Sequence, residues 1–160
     1  MTAIYPGSFD PITNGHLNLM ERAADHFDRL VVCVMVNMKK HTMFTAEERV
    51  CMIRRAAGHI PNLTVTSSEL LVADFAKTLN DPVIVRGLRS ASDLESEMRL
   101  AEFNRRLNPA LDTVFFPAVY PYSALSSSAV KELARFHADL SEYLPGAIIP
   151  DFTARMDEQN

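Results

Sequence analysis

Five short apolar runs, at residues 2–5, 30–36, 63–66, 83–85 and 113–117, alternate along the chain with stretches whose apolar residues recur at helical spacing. Parallel strands must be joined by crossovers, usually helical, and repeated crossovers build a parallel sheet covered on both faces. The alternation therefore predicts an α/β protein with a doubly wound, five-stranded parallel sheet and helices on both faces. The first helix is expected over 15–27, with Leu17, Met20, Ala24 and Phe27 along one side. The second opens at the capping box Thr45-Ala46-Glu47-Glu48 and runs to residue 57, where Gly58 stops it. A third is expected over 72–79 and a fourth from a second capping box, Ser92-Asp93-Leu94-Glu95, to residue 107. A fifth is expected over 127–136, with short helices over 140–144 and after Pro150. With 160 residues, no repeat and no long linker, one domain is expected over 1–160, with 157–160 a disordered tail.

A formal charge of −4 argues against broad nucleic-acid binding. No apolar stretch approaches the roughly 18–20 residues of a membrane span. The N-terminus lacks the charged-then-apolar order of a signal peptide. A cytoplasmic protein is expected, with neither nucleic acid nor membrane as partner. Cys33 and Cys51 sit in apolar surroundings without metal-ligand spacing, and both read as buried thiols.

In doubly wound sheets, ligands bind beyond the carboxyl ends of the strands. The loop after the first strand carries Ser8, Asp10, Thr13, Asn14 and His16. The loop after the second carries Asn37, Lys39, Lys40, His41 and Thr42. Arg86, Gly87 and Arg89 follow the fourth strand. Tyr120, Tyr122, Ser123 and the run Ser126-Ser127-Ser128 follow the fifth, with Lys131 a turn further on. Each loop supplies cations, hydroxyls or a helix N-terminus, whose free N–H groups and positive dipole end attract anions. Their convergence at one sheet edge suits a polyanion such as a nucleoside triphosphate. The patterns G-x-x-x-x-G-K-[ST], G-x-G-x-x-G and G-x-S-x-G are absent, which counts against a P-loop NTPase, a dinucleotide dehydrogenase and an α/β-hydrolase.

Thr13-Asn14-Gly15-His16 looks like the T-x-G-H signature of the nucleotidyltransferase superfamily. Ser126-Ser127-Ser128 with Lys131 resembles its serine-rich second signature. Further segments match in order: 5–11, Met43-Phe44-Thr45 with Glu47-Glu48-Arg49, Arg86-Gly87-Leu88-Arg89, 93–97, Asn104-Arg105 and Leu144-Pro145. Over residues 3–145 the chain closely resembles the bacterial phosphopantetheine adenylyltransferases. The resemblance implies a Rossmann-like fold and a reaction of ATP with 4′-phosphopantetheine that gives dephospho-coenzyme A and pyrophosphate. It also implies Mg²⁺, a homohexamer and feedback inhibition by coenzyme A.

By the same resemblance His16, Lys40 and Arg89 are catalytic, with Lys39 as the competitor of Lys40. ATP would be held by Ser8, Phe9 and His16 on the first loop, and by Gly87, Leu88, Arg89 and Glu97 after the fourth strand. Tyr122, Ser123, Ala124 and Leu125, followed by Ser126, Ser127 and Ser128, would complete its site. The acceptor would be held by Ser8, Lys40, Val72 and Arg86. Asp10 is expected to organise the first loop through N–H groups. No carboxylate cluster offers a dedicated metal site, so Mg²⁺ is expected to arrive on the ATP phosphates. Leu94, Ser96 and Ala124 depart from residues common in the family. Two other readings remain open at this point. One is a sister nucleotidyltransferase acting on nicotinamide mononucleotide or on a phosphorylated polyol or amine. The other is a non-catalytic nucleotide-binding module on the same fold.

Overall fold

The computed structural model describes residues 1–37, 39 and 41–158. The strands β1 (Thr2–Gly7), β2 (Arg29–Met35), β3 (Leu63–Ser68), β4 (Pro82–Leu88) and β5 (Asp112–Pro117) form a sheet in the order β3-β2-β1-β4-β5, with every pairing parallel. The helices are α1 (Asn14–His26), α2 (Ala46–Ala56), α3 (Val72–Ala76), α4 (Ala91–Leu107), α5 (Ser127–Arg135) and α6 (Ile149–Glu158). This is the doubly wound sheet that the alternation predicts.

The strand period of two sorts side chains into two cores. Ala3, Tyr5, Val32, Val34 and Val85 join the larger core with residues of α1, α2 and α6. Ile4, Cys33 and Ile84 face the other way, against Ala73 and Ala76 of α3 and against Leu111. Helix α4 lies over that second face, and among the described residues none of its side chains is buried.

The chain winds from β1 outward to β3 and then returns to lay β4 on the other side of β1. β1 pairs with β2 from Thr2 to Gly7, but with β4 only from Thr2 to Ile4. Beyond Ile4 the two strands part, and a crevice opens at the topological switch point. Pro6 suits this place. Its carbonyl faces β4, where it accepts from the Arg86 guanidinium, so its missing N–H lies on the side without a ladder.

Several boundaries differ from expectation. β4 continues through Leu88, so Arg86 and Gly87 are strand residues and not loop residues. Helix α4 is capped by Ser90, whose side chain accepts from Asp93 N at 3.2 Å, and not by Ser92, which lies inside the helix. Helix α3 stops at Ala76, three residues before the expected end at Leu79. Residues 140–144 form a turn in which the Tyr143 and Leu144 amides both reach the Leu140 carbonyl, at 3.0 and 2.9 Å. That turn receives two hydrogen bonds from Asn14, backbone to Tyr143 O at 2.8 Å and side chain to Glu142 O at 3.0 Å. Asp157 and Glu158, expected in a disordered tail, are helical, and Gln159 and Asn160 lie outside the described residues. Cys33 is buried, but Cys51 is exposed, because α2 turns Val50, Met52, Ile53 and Ala56 inward. No helix among the described residues is long and apolar enough to cross a membrane.

Candidate active site

A cleft of about 350 Å³ opens at the crevice, within the size range of small-molecule sites. Its walls are the ends of β1 and β4, the first turns of α1, and the loop from β5 into α5.

His16 sits in the first turn of α1 and is also part of the cap. The Thr13 hydroxyl accepts from His16 N at 3.3 Å, and His16 Nδ1 accepts from Thr13 N at 3.0 Å. A backbone N–H can only donate, so Nδ1 is the bare nitrogen and the neutral ring carries its proton on Nε2. Phe9 holds the ring from the side, edge to face at 5.1 Å, and itself packs edge to face on Tyr5 at 5.2 Å. The Phe9 ring presses on Gly7, where a Cβ would lie 2.8 Å from it, so a residue without a side chain is needed there. Phe9 reaches this position with φ +48°, in the left-handed region.

Burial, with Arg89 and Arg86 adding to it, lowers the His16 pKa from 6.5 to about 4. The sign follows from the charged form being disfavoured. The unfolded chain takes up this proton near 6.5 and the folded one near 4, so the ring subtracts stability as pH falls across that window. Nitrogen-detected NMR of the ring is expected to show the Nε2–H tautomer from neutrality down to pH 5 and protonation near pH 4. A midpoint near 6.5, or the Nδ1–H form, would contradict this geometry.

Two arginines cross the cleft, each held by a carboxylate from α4. Arg86 presents Nε and Nη2 to Glu97 at 2.7 and 2.6 Å, and Nη1 to Pro6 O at 2.5 Å. Burial works against its charge, but the hydrogen bonds and attraction of Glu97 outweigh it and raise the Arg86 pKa. Glu97, expected at the nucleotide, is thus engaged in orienting Arg86. Arg89 bonds Asp93 through Nε at 3.0 Å and reaches Leu125 O at 3.3 Å. Gly87, between the arginines, lies under Leu19, where a Cβ would stand 2.8 Å from Cδ1. This close approach brings α1, and with it His16, against the end of β4.

The serine run divides its labour. Ser126 caps α5 by accepting from Ala129 N at 3.1 Å, and Ser127 donates to Pro11 O at 2.8 Å. Ser128 is exposed at the cleft. What the run offers an anion is therefore the first free amides of α5 and the Ser128 hydroxyl, and not three hydroxyls. Lys131 turns away to Asp10, at 2.5 Å. Asp10 does accept from N–H groups, but from Met43 at 2.9 Å and Phe44 at 3.0 Å, on the loop after β2 and not on its own loop. Ser8 lines the cleft, and its carbonyl is held by buried Arg49 at 2.7 Å.

The structure thus gathers Ser8, Phe9, His16, Arg86, Gly87 and Arg89 around one space, with Glu97, Tyr122, Leu125 and the serine run completing it. Leu88, Ser123 and Ala124 do not line the cleft. Neither does Val72, which packs against the smaller core from the start of α3. Lys40 lies outside the described residues. Arg22 and Asp93 were not foreseen as cleft residues. Arg22 donates to Pro117 O at 2.8 Å and lies over the Phe116 ring. Its place six residues after His16, on the same side of α1 as Leu19, was the available signal. Among the described residues, no three His, Cys, Asp or Glu side chains gather as a metal site.

Residues 4–133 match the model of the cytidylyltransferase-like family. A phosphopantetheine adenylyltransferase of Heliobacterium modesticaldum is 48% identical over 157 residues, covering 98% of this chain and 91% of that protein. One from Finegoldia magna is 45% identical over 156 residues, covering 98% and 96%. A proposed nicotinate-nucleotide adenylyltransferase from Vibrio parahaemolyticus has a solved structure that superposes with a TM-score of 0.71, covering 98% of this chain and 95% of that one. At 14% identity this last likeness speaks for the fold alone. The chain belongs to the phosphopantetheine adenylyltransferase family, within the cytidylyltransferase-like nucleotidyltransferases.

Proposed function

We propose that the protein transfers the adenylyl group of ATP to 4′-phosphopantetheine, giving dephospho-coenzyme A and pyrophosphate. The observation that carries this reading is the identity of 45–48% to phosphopantetheine adenylyltransferases over nearly the whole chain. An oxygen of the acceptor phosphate forms a bond to the α-phosphorus. The bond from that phosphorus to the α–β bridging oxygen breaks, and pyrophosphate leaves with the electron pair. The nucleophile is already anionic near neutral pH, since the second phosphate pKa is about 6. No strong base is needed, and catalysis is a matter of positioning and charge stabilisation. His16, neutral and carrying its proton on Nε2, donates to the non-bridging oxygens of the five-coordinate phosphorus. Arg89 and the α5 N-terminus take the β- and γ-phosphates. Arg86 and, by the family resemblance, Lys40 take the acceptor phosphate. The nucleotide substrate is Mg-ATP, in which the ion neutralises phosphate charge. Asp10, Asp93 and Glu97 already bind Lys131, Arg89 and Arg86, which suits an ion delivered on the nucleotide.

The test is pyrophosphate release from Mg-ATP with 4′-phosphopantetheine, with nicotinamide mononucleotide run in parallel. Release with phosphopantetheine alone, and dephospho-coenzyme A as product, is expected. Release only with the mononucleotide, or none from folded protein that binds ATP, would overturn the reading. Coenzyme A differs from the product by one phosphate, so it enters the same cleft as a feedback inhibitor, seen as inhibition competitive with the substrates. The two free cysteines and the need for ATP suit a cytoplasmic setting.

We place the protein in a homohexamer. Met98, Leu100, Phe103 and Leu107 of α4 are each at least half exposed, as are Leu70 and Leu71 just before α3, the helix that packs on α4, and apolar side chains gathered on neighbouring elements mark an interaction surface. Light scattering after size exclusion is expected to give six copies for the wild type and a smaller species for Phe103→Glu. An unchanged mass in that variant would remove α4 from the interface.

A further inference from the structure

The C-terminal helix lies beyond the residues that match the family model, yet one of its side chains reaches the loop after β2. Arg155 donates through Nη1 to Met43 O at 2.6 Å and through Nη2 to Glu48 Oε1 at 2.5 Å. Its guanidinium also lies 4.8 Å above the Phe44 ring, which packs near Phe152 of the same helix. From the opposite side, Asp10 accepts both the Met43 and Phe44 amides, and the Phe44 carbonyl accepts from Thr42 Oγ1 at 2.9 Å. All four backbone polar groups of Met43 and Phe44 are therefore engaged, two by the cleft loop through Asp10 and one by α6 through Arg155. Glu48 is fixed in turn, because its Oε2 accepts from Thr45 N at 2.8 Å in the cap of α2.

We propose that Arg155 is a positioning residue: with Asp10 it clamps Met43-Phe44 and so anchors the loop after β2, whose Asn37, Lys39 and His41 follow the carboxyl end of β2 and would serve the acceptor phosphate of the reaction proposed above. Arg155 touches no substrate and acts through the loop. A planar fork fits the task better than an ammonium, since it serves a carbonyl, a carboxylate and a ring face at once. Loss of the clamp frees the loop after β2 while the hydrophobic anchors of α6, Phe152 and Met156, stay buried. A looser loop must be ordered each time the acceptor binds, a cost shared by the ground state and the transition state, so it raises KM and leaves kcat unchanged.

The kinetic half of this inference rests on the reaction proposed above, and the exchange half does not. The experiment compares wild type with Arg155→Met, which keeps the stem, and with Glu48→Gln, which weakens the partner while leaving an oxygen for the Thr45 cap. Amide hydrogen exchange is read over residues 36–45, with thermal melting as the control for folding. Exchange in that segment is expected to rise in both variants. The KM for 4′-phosphopantetheine is expected to rise about tenfold, with kcat at saturation and the KM for ATP within about twofold of wild type. Unchanged exchange over 36–45 would overturn the clamp. Raised exchange with both KM values moved equally, or neither moved, would overturn its role for the acceptor. If the wild type itself does not turn over phosphopantetheine, the functional reading fails, and exchange alone still decides whether Arg155 orders the loop.

Discussion

Replacing His16 by alanine is expected to lower kcat by about 10²–10³-fold, the usual loss when one preformed donor to a developing charge is removed. ATP binding is expected to survive, because the α5 N-terminus and Arg89 remain. The ring also completes the α1 cap, so some loss of stability accompanies the change, about 1 kcal/mol for a cap interaction. That loss alone leaves the protein folded at assay temperature. A single-turnover measurement with enzyme in excess separates the two effects, since only the chemical step slows. Turnover within a few-fold of wild type would refute the role of the Nε2 proton.

Glu97→Ala is expected to cost stability as well as activity. The pair it belongs to is mostly shielded, with Arg86 27% and Glu97 15% exposed. Breaking a fully buried pair costs about 3–5 kcal/mol, and this partly shielded one is expected to cost about 2–3 kcal/mol. For a chain of this length that corresponds to a fall in Tm of about 5–10 °C. The freed guanidinium then lacks its fork partner beside Pro6 O, and binding of the acceptor phosphate weakens. Arg86→Met combined with Glu97→Ala is expected to be less destabilising than the sum of the single changes, because no charge is left alone. A Glu97 that merely touched the nucleotide would behave otherwise: the alanine variant would raise the KM for ATP and leave the melting temperature unchanged.

The features that could be read directly from the residues are those written in local periodicity. Alternating apolar runs gave the strands, Thr45 with Glu48 gave a helix start, and the T-x-G-H run gave the position of His16 at the mouth of the crevice. Other features depend on partners distant in the chain. Ser92 with Glu95 has the spacing of a capping box, but Ser90 takes the cap because Asp93 is drawn to Arg89. The resemblance puts Glu97 at the nucleotide, and its pairing with Arg86 appears only once β4 lies beneath α4. Lys131 and the three serines read as phosphate ligands, and only the contacts with Asp10, Pro11 and Ala129 show how many are already engaged. The family resemblance puts Val72 beside the acceptor, and its neighbours here are in the smaller core. Arg155 had no signal of its own, since nothing near it in sequence points to Met43.

Helix α4 supplies the carboxylates that orient Arg86 and Arg89, yet it buries no side chain of its own in the protomer. An element held to the protomer by partly exposed contacts and two ion pairs gains further rigidity from whatever covers its outer face. In the proposed homohexamer, mass action enters the chemistry. If the homohexamer proposed above covers that face, dilution would uncover it and loosen the platform of Asp93 and Glu97 before the sheet or the larger core is disturbed. Under that proposed assembly, specific activity is expected to rise with the protein's own concentration, and a full assembly is the sharper catalyst.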